Sequence, residues 1–193
     1  MRDMDYTSLF KNNGGKKSKV GIIGASGYAG AELYRLLLGH KDVNIIAISS
    51  QSYEGKMISD LYPSFYGRFD MMLTNDQEVL ENAEMIFASL PHGLSEKYAK
   101  VCDEKGKKFI DLGADFRLDH EKDYQQWYLH DYQYPDLHEK QVYGLSEVNR
   151  EQIKKATIIG NPGCYPTSIT LGLYPLLKHH IQKDEKIIID SKS

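Results

Sequence analysis

One stretch of twenty residues, "KVGIIGASGYAGAELYRLLL" (19–38), constrains the fold more than any other part of the chain. An apolar run of strand length passes through a glycine-rich turn directly into residues with apolar side chains at helical spacing, which is how a βαβ unit of a parallel sheet begins. Gly24, Gly27 and Gly30 space as GxxGxxG. This is a variant of the dinucleotide fingerprint, in which glycines permit a tight turn, close approach of a pyrophosphate and close packing of the helix on the strand. The start of that helix would face the phosphates.

The alternation continues along the chain. Candidate buried strands are "KVGII" (19–23), "VNIIAIS" (43–49), "AEMIFASL" (83–90), "KFIDLG" (108–113), "ATIIG" (156–160) and "KIIID" (186–190). Short continuous apolar runs of this kind suit strands covered on both faces. Helical spacing recurs in "YAGAELYRLLLGH", "SEKYAKVCDEKG" and "TSITLGLYPLLKHH", and in the first of these Leu33, Leu36 and Leu37 fit one buried face. The expected class is therefore α/β, with a Rossmann-like doubly wound and mostly parallel sheet. Residues 114–150, dense in aromatic and charged side chains, interrupt the pattern as loops with a short helix. Residues 1–18 read as a flexible arm or an expression remnant, and 19–163 as the nucleotide-binding domain.

Composition excludes some functions. A net charge of −3 and a pI near 6.2, with Lys and Arg scattered, give no electrostatic footprint for nucleic acid or an anionic membrane. No apolar window approaches the roughly 18 residues of a membrane span, and the N-terminus lacks a signal-peptide core. Two cysteines, Cys102 and Cys164, make neither a disulfide framework nor a metal site, so no metal is expected and a reducing, cytoplasmic interior is.

The two cysteines differ in setting. Cys102 lies inside a helical stretch and reads as a small buried hydrophobe. Cys164 follows the turn "NPG" and opens a helical run, where unpaired backbone N–H groups and the positive end of the macrodipole favour thiolate over thiol. It reads as a nucleophile. The second strand ends in Ser49 and Ser50, where an NAD-selective site usually carries an acid about twenty residues beyond the fingerprint. Hydroxyls tolerate a 2′-phosphate, which favours NADP, and Lys56 adds charge. "SLPHG" (89–93) follows the third strand at the edge where open α/β sheets place ligands; Pro91 shapes its turn, and His92 is not expected to be the catalytic base.

"GASGYAG", "SLPHG", "DLGADFRL", "VYGLSE" and "NPGCYPTS" stand in this order, and with them the chain closely resembles the N-acetyl-gamma-glutamyl-phosphate reductases from about Val20 to its last residue. The resemblance implies NADPH-dependent reduction of N-acetylglutamyl 5-phosphate to N-acetylglutamate 5-semialdehyde, in arginine biosynthesis. Cys164 would attack the acyl phosphate, phosphate would leave, and the thioester would accept hydride. It also implies that Ser26, Gly27, Tyr28 and Ala29 lie against the cofactor phosphates and Ser49 and Ser50 near the adenosine ribose. Asn161, Pro162 and Gly163 would set the turn aiming Cys164, with Arg117 and Glu147 helping site geometry. Relatives often carry a basic residue after the serine pair, where this chain has Gln51.

The relatives are longer, and in them a histidine beyond the position of Ser193 serves as acid and base. Residues 164–193 are accordingly expected to begin a catalytic domain, the full-length protein to be a homo-oligomer, and this chain alone to turn over little. Two alternatives share the sequence features: an aspartate-semialdehyde-dehydrogenase-like enzyme, less favoured by the aromatic-rich segment 116–143, and a nucleotide-binding module without catalysis.

Overall fold

The computed structural model describes residues 17–67, 69–181 and 186–192. Its seven strands are β1 (Ser18–Ile23), β2 (Val43–Ser49), β3 (Leu73–Thr74), β4 (Met85–Ala88), β5 (Lys108–Asp111), β6 (Gln141–Tyr143) and β7 (Ile158–Gly160). They form one sheet in the order β3-β2-β1-β4-β5-β7-β6, and every pairing is parallel. The chain winds outward from β1 to β2 and β3, then crosses back to place β4 on β1's other side. The topological switch point, where such sheets bind ligands, therefore lies between the carboxyl ends of β1 and β4.

Between strands run α1 (Tyr28–Leu38), α2 (Asp76–Asn82), α3 (Glu96–Glu104), α4 (Glu121–Tyr128), α5 (Pro135–His138) and α6 (Ser146–Lys155), and α7 (Cys164–Lys178) follows β7. Strand side chains alternate between two cores, as period-two geometry requires. Val20, Ile22 and Met85 face α1 through Ala31, Tyr34 and Leu37. Ile23, Ile86 and Phe109 face α2, α3 and α5 through Val79, Ala99, Cys102 and Leu137. A third, small cluster sets α6 on β7 through Ile153 and Ile159. Burial on both faces is why these strands read as continuous apolar runs.

The structure corrects the sequence reading at several places. No strand forms over 186–190: those residues join neither edge of the sheet, and Ile187, Ile188 and Ile189 are exposed. An apolar run becomes a buried strand only beside an edge that takes up its backbone groups, and the edges here are β3 and β6. Leu36 is 57% exposed whereas Leu37 is 8% exposed, because Tyr34 takes the core position that pairs with Leu37 on the inward face. Residues 114–150 hold two helices, a strand and the start of α6 rather than loops with a single helix. Of the expected arm, residues 1–16 lie outside the described residues, and Ser18 already pairs with Val43.

Candidate active site

The loops leaving β1, β2, β4, β5 and β7 all emerge at one edge and are stitched to each other. Ala25 N–H donates to Ser49 O, Ser89 N–H to Ile23 O, Leu112 N–H to Ala88 O and Asn161 N–H to Asp111 O, each at 2.8 to 2.9 Å. Along this edge lie a groove over the glycine turn and a cavity around Cys164.

The groove is walled by Gly24, Ser26 and Gly27, by Ser50, Gln51 and Ser52 after β2, and by Ser89, Leu90 and Pro91 after β4. Gly24 has φ +80°, and a Cβ there would run into the Ser89 carbonyl oxygen. A Cβ on Gly30 would run into the carbonyl oxygen of Gly24, so α1 begins pressed onto the turn. Gly27 caps α1 without a side-chain acceptor, and the first turn of α1 holds no acid. Tyr28 and Ala29 are exposed there, and Ser26, Gly27 and Tyr28 also border a second hollow that contains Lys56, Tyr53 and Tyr62. Backbone N–H groups at the start of α1 are thus left open to an anion, and the cradle fits a dinucleotide pyrophosphate.

Ser50 and Ser49 behave differently. Ser50 Oγ shares a 2.7 Å hydrogen bond with Ser26 Oγ at the groove. Ser49, expected against the ribose, is buried and donates its Oγ to Asp76 Oδ1 at 2.6 Å. An acid does stand at the end of β2, then, but it comes from α2. Its other oxygen accepts from Tyr98 OH at 2.6 Å and Gln51 Nε2 at 3.2 Å. Burial, with Asp76 as acceptor, pushes the Tyr98 phenol well above its ordinary range, so this hydroxyl keeps its proton. Asp76 has three protein donors on two oxygens and lines the groove beside Ser50 and Gln51.

Cys164 is the first residue of α7 and is exposed. Gly163 caps the helix without a side-chain bond, Thr167 Oγ1 donates to Gly163 O at 2.8 Å, and the first turn again holds no acid. Every other α-helix among the described residues carries Asp or Glu in its first turn; α1 and α7 do not. The cavity in front of the sulfur measures about 670 Å³ and is lined by Arg117, Tyr128, Tyr143, Gly163 and Tyr165. Arg117 Nε donates to Asn161 O at 2.8 Å and Nη2 to Leu112 O at 2.7 Å. Its Nη1 faces the turn before Cys164, since a Cβ on Gly163 would sit 3.3 Å from it. A fixed positive charge therefore stands beside the thiol.

Among the expected residues, Asn161, Pro162, Gly163 and Arg117 converge on Cys164, while Glu147 is exposed in the first turn of α6 and does not line the cavity. His92 is exposed, with its ring edge-on to Tyr128 at 5.0 Å. Cys102 is buried and its thiol is pushed up to about 12 by burial. Sequence reasoning did not single out Asp76, whose partners lie far away in the chain, or Tyr128 and Tyr143, which sit in an aromatic-rich segment with many equivalent tyrosines. Among the described residues no helix is long and apolar enough to cross a membrane. Nor, among those residues, do three or more His, Cys, Asp or Glu cluster as metal ligands.

The family model of the semialdehyde dehydrogenase NAD-binding domain matches residues 19–156. The chain belongs to this family. The match runs from β1 through α6 and takes in the whole groove described above, while β7 and Cys164 lie beyond it. Curated relatives carry the name N-acetyl-gamma-glutamyl-phosphate reductase: one from Clostridium botulinum (strain Eklund 17B / Type B) is 52% identical over 175 residues, 91% of this chain and 51% of its own. One from Acinetobacter baylyi is 45% identical over 177 residues, 90% of this chain and 51% of its own. This family member thus spans about half the length of those relatives. Its fold is also that of aspartate semialdehyde dehydrogenase II from Vibrio cholerae, with TM-score 0.62, 22% identity and coverage of 84% of this chain and 47% of that one. The Candida albicans aspartate semialdehyde dehydrogenase, solved with NADP, has TM-score 0.55 at 18% identity, covering 85% and 48%.

Proposed function

We propose that the chain is the cofactor-binding and nucleophile-bearing part of an NADPH-dependent reductase that converts N-acetylglutamyl 5-phosphate to N-acetylglutamate 5-semialdehyde, releasing phosphate. The observation that carries this reading is Cys164, exposed at an acid-free helix start beside Arg117, on the same sheet edge as the glycine groove. The acetylglutamyl substrate is favoured over an aspartyl one by relatives at 45 to 52% identity, whereas the aspartate enzymes resemble the chain at 22% or less.

In this reading the Cys164 sulfur attacks the carbonyl carbon of the acyl phosphate. The bond from carbon to phosphate oxygen breaks, phosphate departs with the electron pair, and a thioester remains on the sulfur. Arg117 offsets the charge of the departing phosphate, and the backbone N–H groups opening α7 stabilise the oxyanion formed on the way. The nicotinamide cofactor, when bound, supplies the hydride that reduces the thioester. Ser26, Gly27 and the first turn of α1 hold its phosphates, and Leu90 and Pro91 wall the other side of the groove. Ser50, Ser52 and Lys56 favour NADP(H) over NAD(H), since hydroxyls and a cation suit a 2′-phosphate.

Acylation tests the reading without any cofactor. The chain incubated with N-acetylglutamyl 5-phosphate is expected to gain one acyl group on Cys164 by peptide mass mapping, with an equal amount of phosphate released, and Cys164→Ser to gain none. A folded chain that stays unmodified overturns the assignment.

A further inference from the structure

The turn after β4, residues 91–94, walls the groove and touches one residue of the cavity around Cys164. Pro91 and Leu94 wall the groove, while His92 meets the Tyr128 ring, and Tyr128 lines the space before Cys164. Its own side chains at 91, 92 and 94 are exposed and give it no anchor in a core. Gln133 Nε2 donates to Gly93 O at 3.0 Å from the exposed side, and two buried acids hold the turn from underneath. Asp115 is fully buried; its Oδ1 accepts from Gly93 N–H at 2.7 Å and its Oδ2 from Ser95 N–H at 2.8 Å. Asp111, also fully buried, accepts the Ser95 hydroxyl at 2.6 Å and Gly113 N–H at 3.0 Å on Oδ1. Two carboxyls buried side by side are an expensive way to fill space, since apolar groups of similar volume do that at no electrostatic cost. Asp115 holds the turn at Gly93 and both acids hold Ser95 directly after it, at the start of α3.

We propose that Asp115 is a positioning residue: it sets the height of the 91–94 wall against the Gly24 turn, and so the seat of the nicotinamide half of the cofactor, with Ser95 and Asp111 as the second point of attachment. This rests on reading the groove as a dinucleotide site. The adenosine half lies against Ser50–Ser52 and α1, which Asp115 does not touch, so the effect of losing Asp115 should fall on one half of the ligand only.

The test compares two probes on the unaltered chain and on Asp115→Asn, which keeps one oxygen but turns an amide N–H₂ against a backbone N–H donor. NADPH, followed by its fluorescence, is expected to bind the variant about tenfold more weakly. The dissociation constant of 2′,5′-ADP, which lacks the nicotinamide half, is expected to stay within about twofold. Ser95→Ala, a milder change at the second attachment, should shift the two probes apart in the same direction and serves if the first variant does not fold. Tyr124→Phe removes the third donor to Asp115, Tyr124 OH at 2.9 Å, and leaves both turn bonds in place; NADPH affinity should hold while thermal stability drops. Equal weakening of both probes, or no change in either, overturns the positioning role. Failure of the unaltered chain to bind NADPH overturns the dinucleotide reading itself.

Discussion

Asp111 closes β5 with its carboxyl buried, and burial, opposed in part by the Ser95 hydroxyl, raises its pKa to about 6. In the unfolded chain the same group titrates near 4, so between those values the folded state holds a proton that the unfolded state has lost. Stability through this group is therefore fully present below about pH 4 and falls as pH rises toward 6, by about 1.4 kcal/mol per unit, or roughly 2–3 kcal/mol in all. Asp111→Asn keeps the acceptor for Ser95 and cannot ionise. Urea unfolding at pH 4.5 and pH 7 should show the variant gaining on the unaltered chain as pH rises; a pH-independent difference would contradict the burial argument. Residues differ in how far sequence exposes such roles. The place of Cys164 at an exposed helix start was legible because everything that marks it, a Gly-Pro turn before it and a helix after it, is local. Ser49 was misread because its partner Asp76 stands 27 residues away on another element, and only the parallel sheet brings them together.

Elements were legible where burial is two-sided and obscure where they are short or polar. β1, β2, β4, β5 and β7 were visible as apolar runs, and α1, α3 and α7 as periodic ones. β3 has two residues and β6 three, too few to show a period. α2, "DQEVLEN", buries only Val79 and Leu80 and is started by its Asn75 cap, whose side chain accepts Glu78 N–H at 3.0 Å. On α1 the leucine run misled, since spacing alone does not say which of adjacent leucines turns inward. Leu37→Ala is expected to cost about 2–4 kcal/mol by emptying core volume, and Leu36→Ala under about 0.5 kcal/mol, read from urea midpoints at constant slope. Similar losses at both would return Leu36 to the buried face.

At the scale of the whole molecule, the doubly wound sheet follows from the alternation of apolar runs and helices, but the path after β7 does not. α7 buries none of its described side chains, and Leu176, Leu177, Ile187 and Ile188 are exposed, Ile188 at 97%. Apolar area of that kind drives association. Sedimentation velocity should show a coefficient that climbs with concentration, and Leu176→Lys combined with Ile188→Lys should flatten it; a concentration-independent monomer would mean that this face is covered in solution. The two helix starts without acids have a different consequence. Ala29 and Tyr165 sit exposed in the first turns of α1 and α7, where an aspartate would suit the macrodipole and add a few tenths of a kcal/mol to about 1 kcal/mol of stability. An engineer optimising melting temperature would choose those two substitutions early, and each would place a negative charge at a helix start that the proposed function reserves for a phosphate, giving a sturdier protein with a closed door.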